Sequence, residues 1–183
     1  MGEVAFLFAG QGAQYPGMGV GIAEASPAAR AVFEAANAVR PHTFDQCQKG
    51  TKEELSQTAN TQPCVFATDL ACARALEERG IEPDVVAGFS LGEVAALTFA
   101  GAFSDKKGFE LVCHRAELMA AAASAHPGAM RAVVKLDAAC AGELAAEAAR
   151  QTDGDCWPVN YNSPMQTVVA GSPAACARRA DAR

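Results

Sequence analysis

Short apolar runs alternate with longer amphipathic stretches over the first two thirds of the chain. Residues 4–9 (VAFLFA) are continuous, apolar and closed by a glycine-rich turn, which predicts a fully buried strand. Residues 27–39 read as a helix with Ser26 as N-cap and Pro27 at N1. A short helix is expected over 51–57, capped by Thr51, with Glu53 and Glu54 in its first turn. A longer one is expected over 62–79, with Thr61 capping, Pro63 in the first turn and Gly80 as stop. Its apolar stripe takes in Val65, Phe66, Leu70, Ala73 and Leu76.

Pro83 introduces a second buried strand at 85–87, then a turn at Ser90 and a helix from 93 to about 100. Ser104 caps another helix from 105 to about 123, with Leu111, Ala116 and Met119 on one side. Strands alternating with helices imply a parallel sheet covered on both faces. After His126-Pro127-Gly128 the texture changes. A strand at 130–136, an alanine-rich helix at 138–150, strands at 158–161 and 166–170 and a helix from Pro173 follow. That β-α-β-β-α order is a ferredoxin-like pattern lacking its last strand. A boundary near residue 127 divides the chain into subdomains 1–126 and 127–183.

The length of 183 residues suits one ordinary domain, or a domain with a small annex. Half the residues are apolar and a fifth charged, a globular composition. A net charge of −6 argues against a nucleic-acid partner. No secretory signal is evident, and five glycines and Pro16 within 4–23 exclude a membrane helix there. A cytoplasmic protein with no membrane partner is expected. The seven cysteines form no CxxC and no Cys/His ligand spacing, so they read as buried, reduced thiols and no metal site is expected.

The chemistry concentrates at Gly88-Phe89-Ser90-Leu91-Gly92, between a strand and a helix. Such a nucleophile elbow puts the serine on a sharp, strained turn, with glycines where side chains would clash. The amide of Leu91 is then directed at the same space and can donate to an oxyanion. Glu93, in the following first turn, is explained by the helix dipole. Gly10-Gln11-Gly12-Ala13-Gln14 follows the first strand but lacks the third glycine of a dinucleotide fingerprint. It is either a tight surface turn or a loop that brings a backbone N–H beside the serine. Arg115 alone reads as a solvated helix charge.

Taken in order, FAGQGAQYPGMG, GFSLGE, HRAELM, GAMRAVVKLD and NYNSPMQTVVAGS resemble malonyl-CoA:acyl carrier protein transacylases and related polyketide acyltransferase domains. The resemblance runs through the whole chain and implies an N-terminal part of such a protein. It implies an α/β fold: an α/β-hydrolase-like large subdomain with a parallel sheet and a ferredoxin-like small subdomain. It implies that catalytic Ser90 takes the malonyl group from malonyl-CoA as an ester. The phosphopantetheine thiol of acyl carrier protein then receives it, with no permanently bound cofactor. Gln11 matches the residue whose backbone amide joins that of Leu91 in the oxyanion hole. Arg115 matches the arginine that grips the malonyl carboxylate.

There are two departures. Phe89 stands where the family usually has a histidine that is not the base, so pocket shape is expected to change rather than chemistry. The family's catalytic histidine falls downstream of the position matching Arg183. The three histidines present, His42, His114 and His126, read as surface residues. His114 projects about 100° away from Arg115 on a helix. Two other readings stay open: an incomplete fragment or interaction module of the same family, and a serine hydrolase of similar fold. For the acidic carrier protein, Lys106, Lys107, Arg131, Lys135, Arg178 and Arg179 are either a basic dock or ordinary solvated charges.

Overall fold

The computed structural model describes residues 3–178. Contacts divide the chain into two compact units, Met1–Ala121 and Ala122–Arg183.

The first unit opens with strand β1 (Ala5–Phe8), followed by helices α1 (Val20–Ala25), α2 (Pro27–Val39), α3 (Thr43–Lys49), α4 (Lys52–Leu55) and α5 (Thr58–Glu78). Strand β2 (Val85–Gly88), α6 (Leu91–Phe99) and α7 (Asp105–Ala125) come next. β1 and β2 pair in parallel, with Ala5 opposite Val85 and Phe8 opposite Gly88. Phe6 and Phe8 point to one face, where both rings pack against Phe99 of α6 at 5.6 and 5.8 Å. The other face carries Leu7, 80% exposed, and Val85, 59% exposed. Among the described residues one face of this pair is covered, and β1 alternates between buried and open positions. An apolar run does not say which of its faces is covered.

Local capping chemistry places the helices. Ser26 Oγ accepts from the Ala29 N–H at 3.1 Å and donates to Glu78 Oε2 at 2.6 Å. The cap of α2 is thereby tied to the end of α5. Thr51 and Glu54 form a capping box on α4. Ser104 Oγ accepts from the Lys107 N–H at the head of α7.

One cap is corrected. α5 starts at Thr58, not at 62, and Thr61 is buried inside it, donating its hydroxyl back to the Leu55 and Gln57 carbonyls. The extra turn is held from outside: Asn60 takes the Glu54 carbonyl at 3.0 Å and receives Arg40 Nη2 at 2.9 Å. Pro63 sits within the helix. The core joins Phe33, Leu55, Val65, Phe66, Leu70, Leu91, Phe109 and Val112. Of the predicted stripe on α5 only Leu76 is exposed, and on α7 Leu111 and Met119 are too.

The second unit contains β3 (Ala129–Val134), α8 (Ala138–Thr152), β4 (Cys156–Ser163), β5 (Gln166–Gly171) and α9 (Pro173–Ala177). Its three strands form an antiparallel sheet in the order β3-β5-β4. Ala145, Cys156, Val169, Ala175 and Cys176 make the core between sheet and helices. Met130 and Trp157 flank Ala170 on the opposite face and are 62% and 57% exposed. Asp137 caps α8 by accepting from the Cys140 N–H at 2.8 Å, a bond that holds its carboxyl below the usual carboxylate range.

All seven cysteines are unpaired; Cys47, Cys64, Cys156 and Cys176 are buried, whereas Cys72 and Cys140 are exposed, against the expectation for those two. Among the described residues no helix is long and apolar enough to cross a membrane.

Candidate active site

Two glycines create the turn at the end of β2. A Cβ on Gly88 would lie 2.1 Å from the Gly92 carbonyl group, and one on Gly92 would lie 2.3 Å from the Phe8 carbonyl oxygen. Strand and helix therefore meet backbone to backbone. Between them Ser90 has φ 57° and ψ −105°, a region a side chain rarely adopts. Its N–H donates to Glu93 Oε1 at 3.2 Å, so Glu93 braces the elbow beyond any general dipole effect. Leu91 is the first residue of α6, and the amides of a helix's first turn have no partner within it.

Ser90 is exposed, and its Oγ accepts from Arg115 Nη2 at 2.9 Å. Arg115 comes from α7, and its Nη1 donates to Gln62 Oε1 at 2.5 Å. Gln62 is fully buried on α5, and its amide nitrogen is 3.3 Å from Met119 Sδ. Helices α5, α6 and α7 thus converge on one polar chain, Gln62–Arg115–Ser90. Arg115 is not the solvated charge that its residue type alone suggests. Gln62 was not singled out in the sequence, although an amide beside a buried apolar stripe calls for a partner.

The Gly10–Gln11 loop lies beside the elbow. A Cβ at Gly10 would fall 2.6 Å from the Phe89 ring and 2.7 Å from the Phe89 carbonyl oxygen. The Gln11 side chain donates to Thr58 Oγ1 at 3.3 Å, which anchors the loop on the first turn of α5. Phe89 is half exposed, and its N–H continues the ladder to the Phe8 carbonyl at 3.1 Å. His42 and His114 are exposed and near Asp45 and Glu117, respectively. Among the described residues, Arg115 is the one side chain hydrogen-bonded to Ser90 Oγ. Lys106 and Lys107 both pair with Glu110, which cancels part of their charge, and Arg179 lies outside the described residues.

Asp69 sits two turns beyond Gln62 on the same side of α5. Burial pushes its carboxyl from an ordinary 3.8 up to about 7, and the Ala9 backbone N–H offsets this only in part. Its Oδ2 has no hydrogen-bond partner. The folded state therefore favours the neutral acid. That preference contributes fully below pH 3.8 and is lost as the pH rises to about 7. Asp69→Asn is expected to gain on the natural chain by up to about 4 kcal/mol across that window. Urea denaturation at pH 4 and pH 8 reads the difference; a gap that does not change with pH would mean that the carboxyl is solvated.

Residues 5–181 match the family model described as acyl transferase domain. The chain is 38% identical over 174 residues to the malonyl CoA-acyl carrier protein transacylase of Bacillus subtilis, covering 94% of this chain and 54% of that one. Its fold matches the acyl-carrier-protein-S-malonyltransferase of Bartonella henselae with a TM-score of 0.88 at 35% identity, over 96% of this chain and 56% of that one. It also matches a malonyl-transacylase in complex with its type II PKS acyl-carrier protein, with a TM-score of 0.86 at 37% identity, over 95% and 56% of the two chains. The chain spans about half the length of the curated relatives it matches.

Proposed function

The chain belongs to the acyl transferase domain family, and from that premise we propose that it serves malonyl transfer from malonyl-CoA to the phosphopantetheine thiol of acyl carrier protein, in fatty acid biosynthesis. Ser90 Oγ attacks the thioester carbonyl. The oxyanion that forms is held by the backbone N–H groups of Leu91 and Gln11, and collapse expels the coenzyme A thiolate. The carrier thiol then attacks the malonyl-Ser90 ester and frees the serine. Each attack needs a base for the nucleophile's proton. In the resemblance that base is a histidine beyond the position matching Arg183.

The observation that carries this reading is the guanidinium 2.9 Å from the nucleophile. A fixed cation beside a serine suits an acyl group that ends in a free carboxylate. A charge-assisted hydrogen bond contributes about 1.5–3 kcal/mol, enough to favour malonyl over acetyl by roughly ten- to a hundredfold.

Mass spectrometry after incubation with malonyl-CoA is expected to find a malonyl adduct on Ser90 that moves to acyl carrier protein. Folded protein without an adduct sinks the reading for this chain, and water as sole acceptor favours a hydrolase. Arg115→Ala is expected to shift preference from malonyl-CoA toward acetyl-CoA by at least about tenfold. Unchanged selectivity in competition assays would remove the role assigned to Arg115.

A further inference from the structure

Two of the seven thiols stand apart from the others. Cys47 on α3 and Cys64 on α5 are both fully buried and lie within hydrogen-bond reach of each other. Cys47 Sγ donates to the Cys64 carbonyl at 3.9 Å. Cys64 Sγ donates to Gln46 Oε1 at 3.5 Å, and Arg40 Nη1 donates to that same oxygen at 2.8 Å. A polar chain, Arg40–Gln46–Cys64–Cys47, therefore runs into the core of the first unit. Arg40 and Gln46 also line a cleft of about 310 Å³. The outer end of the chain borders open space, and Gln46 stands between that space and Cys64.

The two sulfurs are not equivalent. The hydrogen bond from Cys47 and the charge of Arg40 hold Cys64 below the ordinary thiol value of 9.0, against the opposing effect of burial. The same pairing, together with burial, holds Cys47 up. The exposed thiols are raised: Cys72 by its enclosed surroundings and Asp69, Cys140 by its hydrogen bond with Asp137. Burial pushes Cys113, which faces Cys64 from α7, up to about 11, and does the same to Cys156 beside Cys176. The thiolate, not the thiol, attacks an oxidant. Thiolate character and exposure therefore fall on different cysteines.

We propose that Cys64 and Cys47 form an oxidisable dithiol site, in which Cys64 reacts with a small hydroperoxide entering past Gln46 and Cys47 closes the disulfide. The Cys64 sulfur attacks one peroxide oxygen, the oxygen–oxygen bond breaks, and the leaving oxygen takes a proton and departs as water or an alcohol. Cys64 is thereby oxidised to a sulfenic acid. The Cys47 sulfur then attacks that sulfur, its proton joins the departing hydroxide, and water leaves. The bridge joins α3, whose Cys47 carbonyl holds the Gly17 N–H at 2.8 Å, to α5, which carries Gln62 two residues before Cys64.

The test treats the dilute folded chain with hydrogen peroxide at neutral pH, blocks the remaining thiols by alkylation, and maps peptides by mass spectrometry without reduction. The peptides of Cys47 and Cys64 are expected joined, with loss of two hydrogens, about tenfold sooner than those of Cys156 and Cys176. Cys47→Ser and Cys47→Ala are expected to stop at a sulfenic acid on Cys64, captured by a cyclic 1,3-dione. Cys64→Ser is expected to leave Cys47 as a thiol. Oxidation of Cys72 or Cys140 while Cys47 and Cys64 stay as thiols overturns the site. So does a bond from Cys64 to Cys113, or a dione adduct on Cys47 in Cys64→Ser. The natural chain alone decides the order of oxidation, even where a core variant fails to fold. Ser90, Arg115 and malonyl-CoA take no part, so the result stands or falls apart from malonyl transfer.

Discussion

Replacing Ser90 by alanine is expected to abolish the malonyl adduct and transfer to acyl carrier protein, by at least about a thousandfold. The substitution removes one atom, Oγ, and keeps the Cβ at an exposed position, so no cavity opens in the core. Arg115 retains its bond to the buried Gln62. A thermal melt within a few degrees of the natural chain would then assign the loss to chemistry rather than to unfolding. The magnitude separates two roles. On the proposed reading, losing Arg115 is expected to cost a preference among acyl groups of roughly ten- to a hundredfold, whereas losing Oγ would remove the atom proposed to receive the acyl group. An adduct that persists in Ser90→Ala, on whatever residue, would place the nucleophile elsewhere.

The second large effect concerns the fold. Gly92→Ala would bring a methyl group within 2.3 Å of the Phe8 carbonyl oxygen, and Gly88→Ala would bring one within 2.1 Å of the Gly92 carbonyl. These neighbours are backbone, so no side-chain rotation relieves the contact, and β1, β2 and α6 must move apart. Overpacking of side chains in a core costs about 1–3 kcal/mol and sometimes more. Backbone contacts this short belong at the upper end, so each variant is expected to lose at least about 3 kcal/mol. For a chain of this size that is a fall of roughly 6–12 °C in melting temperature. Gly21→Ala in α1 is the comparison, because nothing lies within 4 Å of its added Cβ. Melting of the Gly88 and Gly92 variants at the temperature of Gly21→Ala would show that the elbow is not tightly packed.

What the sequence made legible follows the range of each interaction. Ser26, Thr51 and Ser104 cap their helices through bonds spanning three residues, and all three could be read locally. Thr61 has the same residue type, but its hydroxyl turns back to carbonyls of a preceding segment, and no local rule distinguishes the two uses. Short α1 and α3 escaped because each begins after a left-handed residue, Gly19 or His42, and carries little apolar periodicity. The serine turn was legible because its glycines answer a steric demand within five residues. The Gln62–Arg115 bond joins positions 53 apart, and spacing alone could not reveal it. Resemblance singled out Arg115 and Gln11, whereas the Leu91 amide followed from the elbow itself. Gln62 emerged only from the packing of α5 against its neighbours.

The backbone of Ser90 carries a further consequence for how such a protein changes over time. At φ 57° and ψ −105° glycine would be the comfortable occupant, and holding a side chain there costs about 1–3 kcal/mol. A glycine at this position would relieve that strain and remove the hydroxyl in one step. Selection for thermal robustness alone therefore drives position 90 toward the residue that ends the chemistry. The serine persists only under selection for what it does, which makes this position a gauge of whether a related chain is still used as an enzyme.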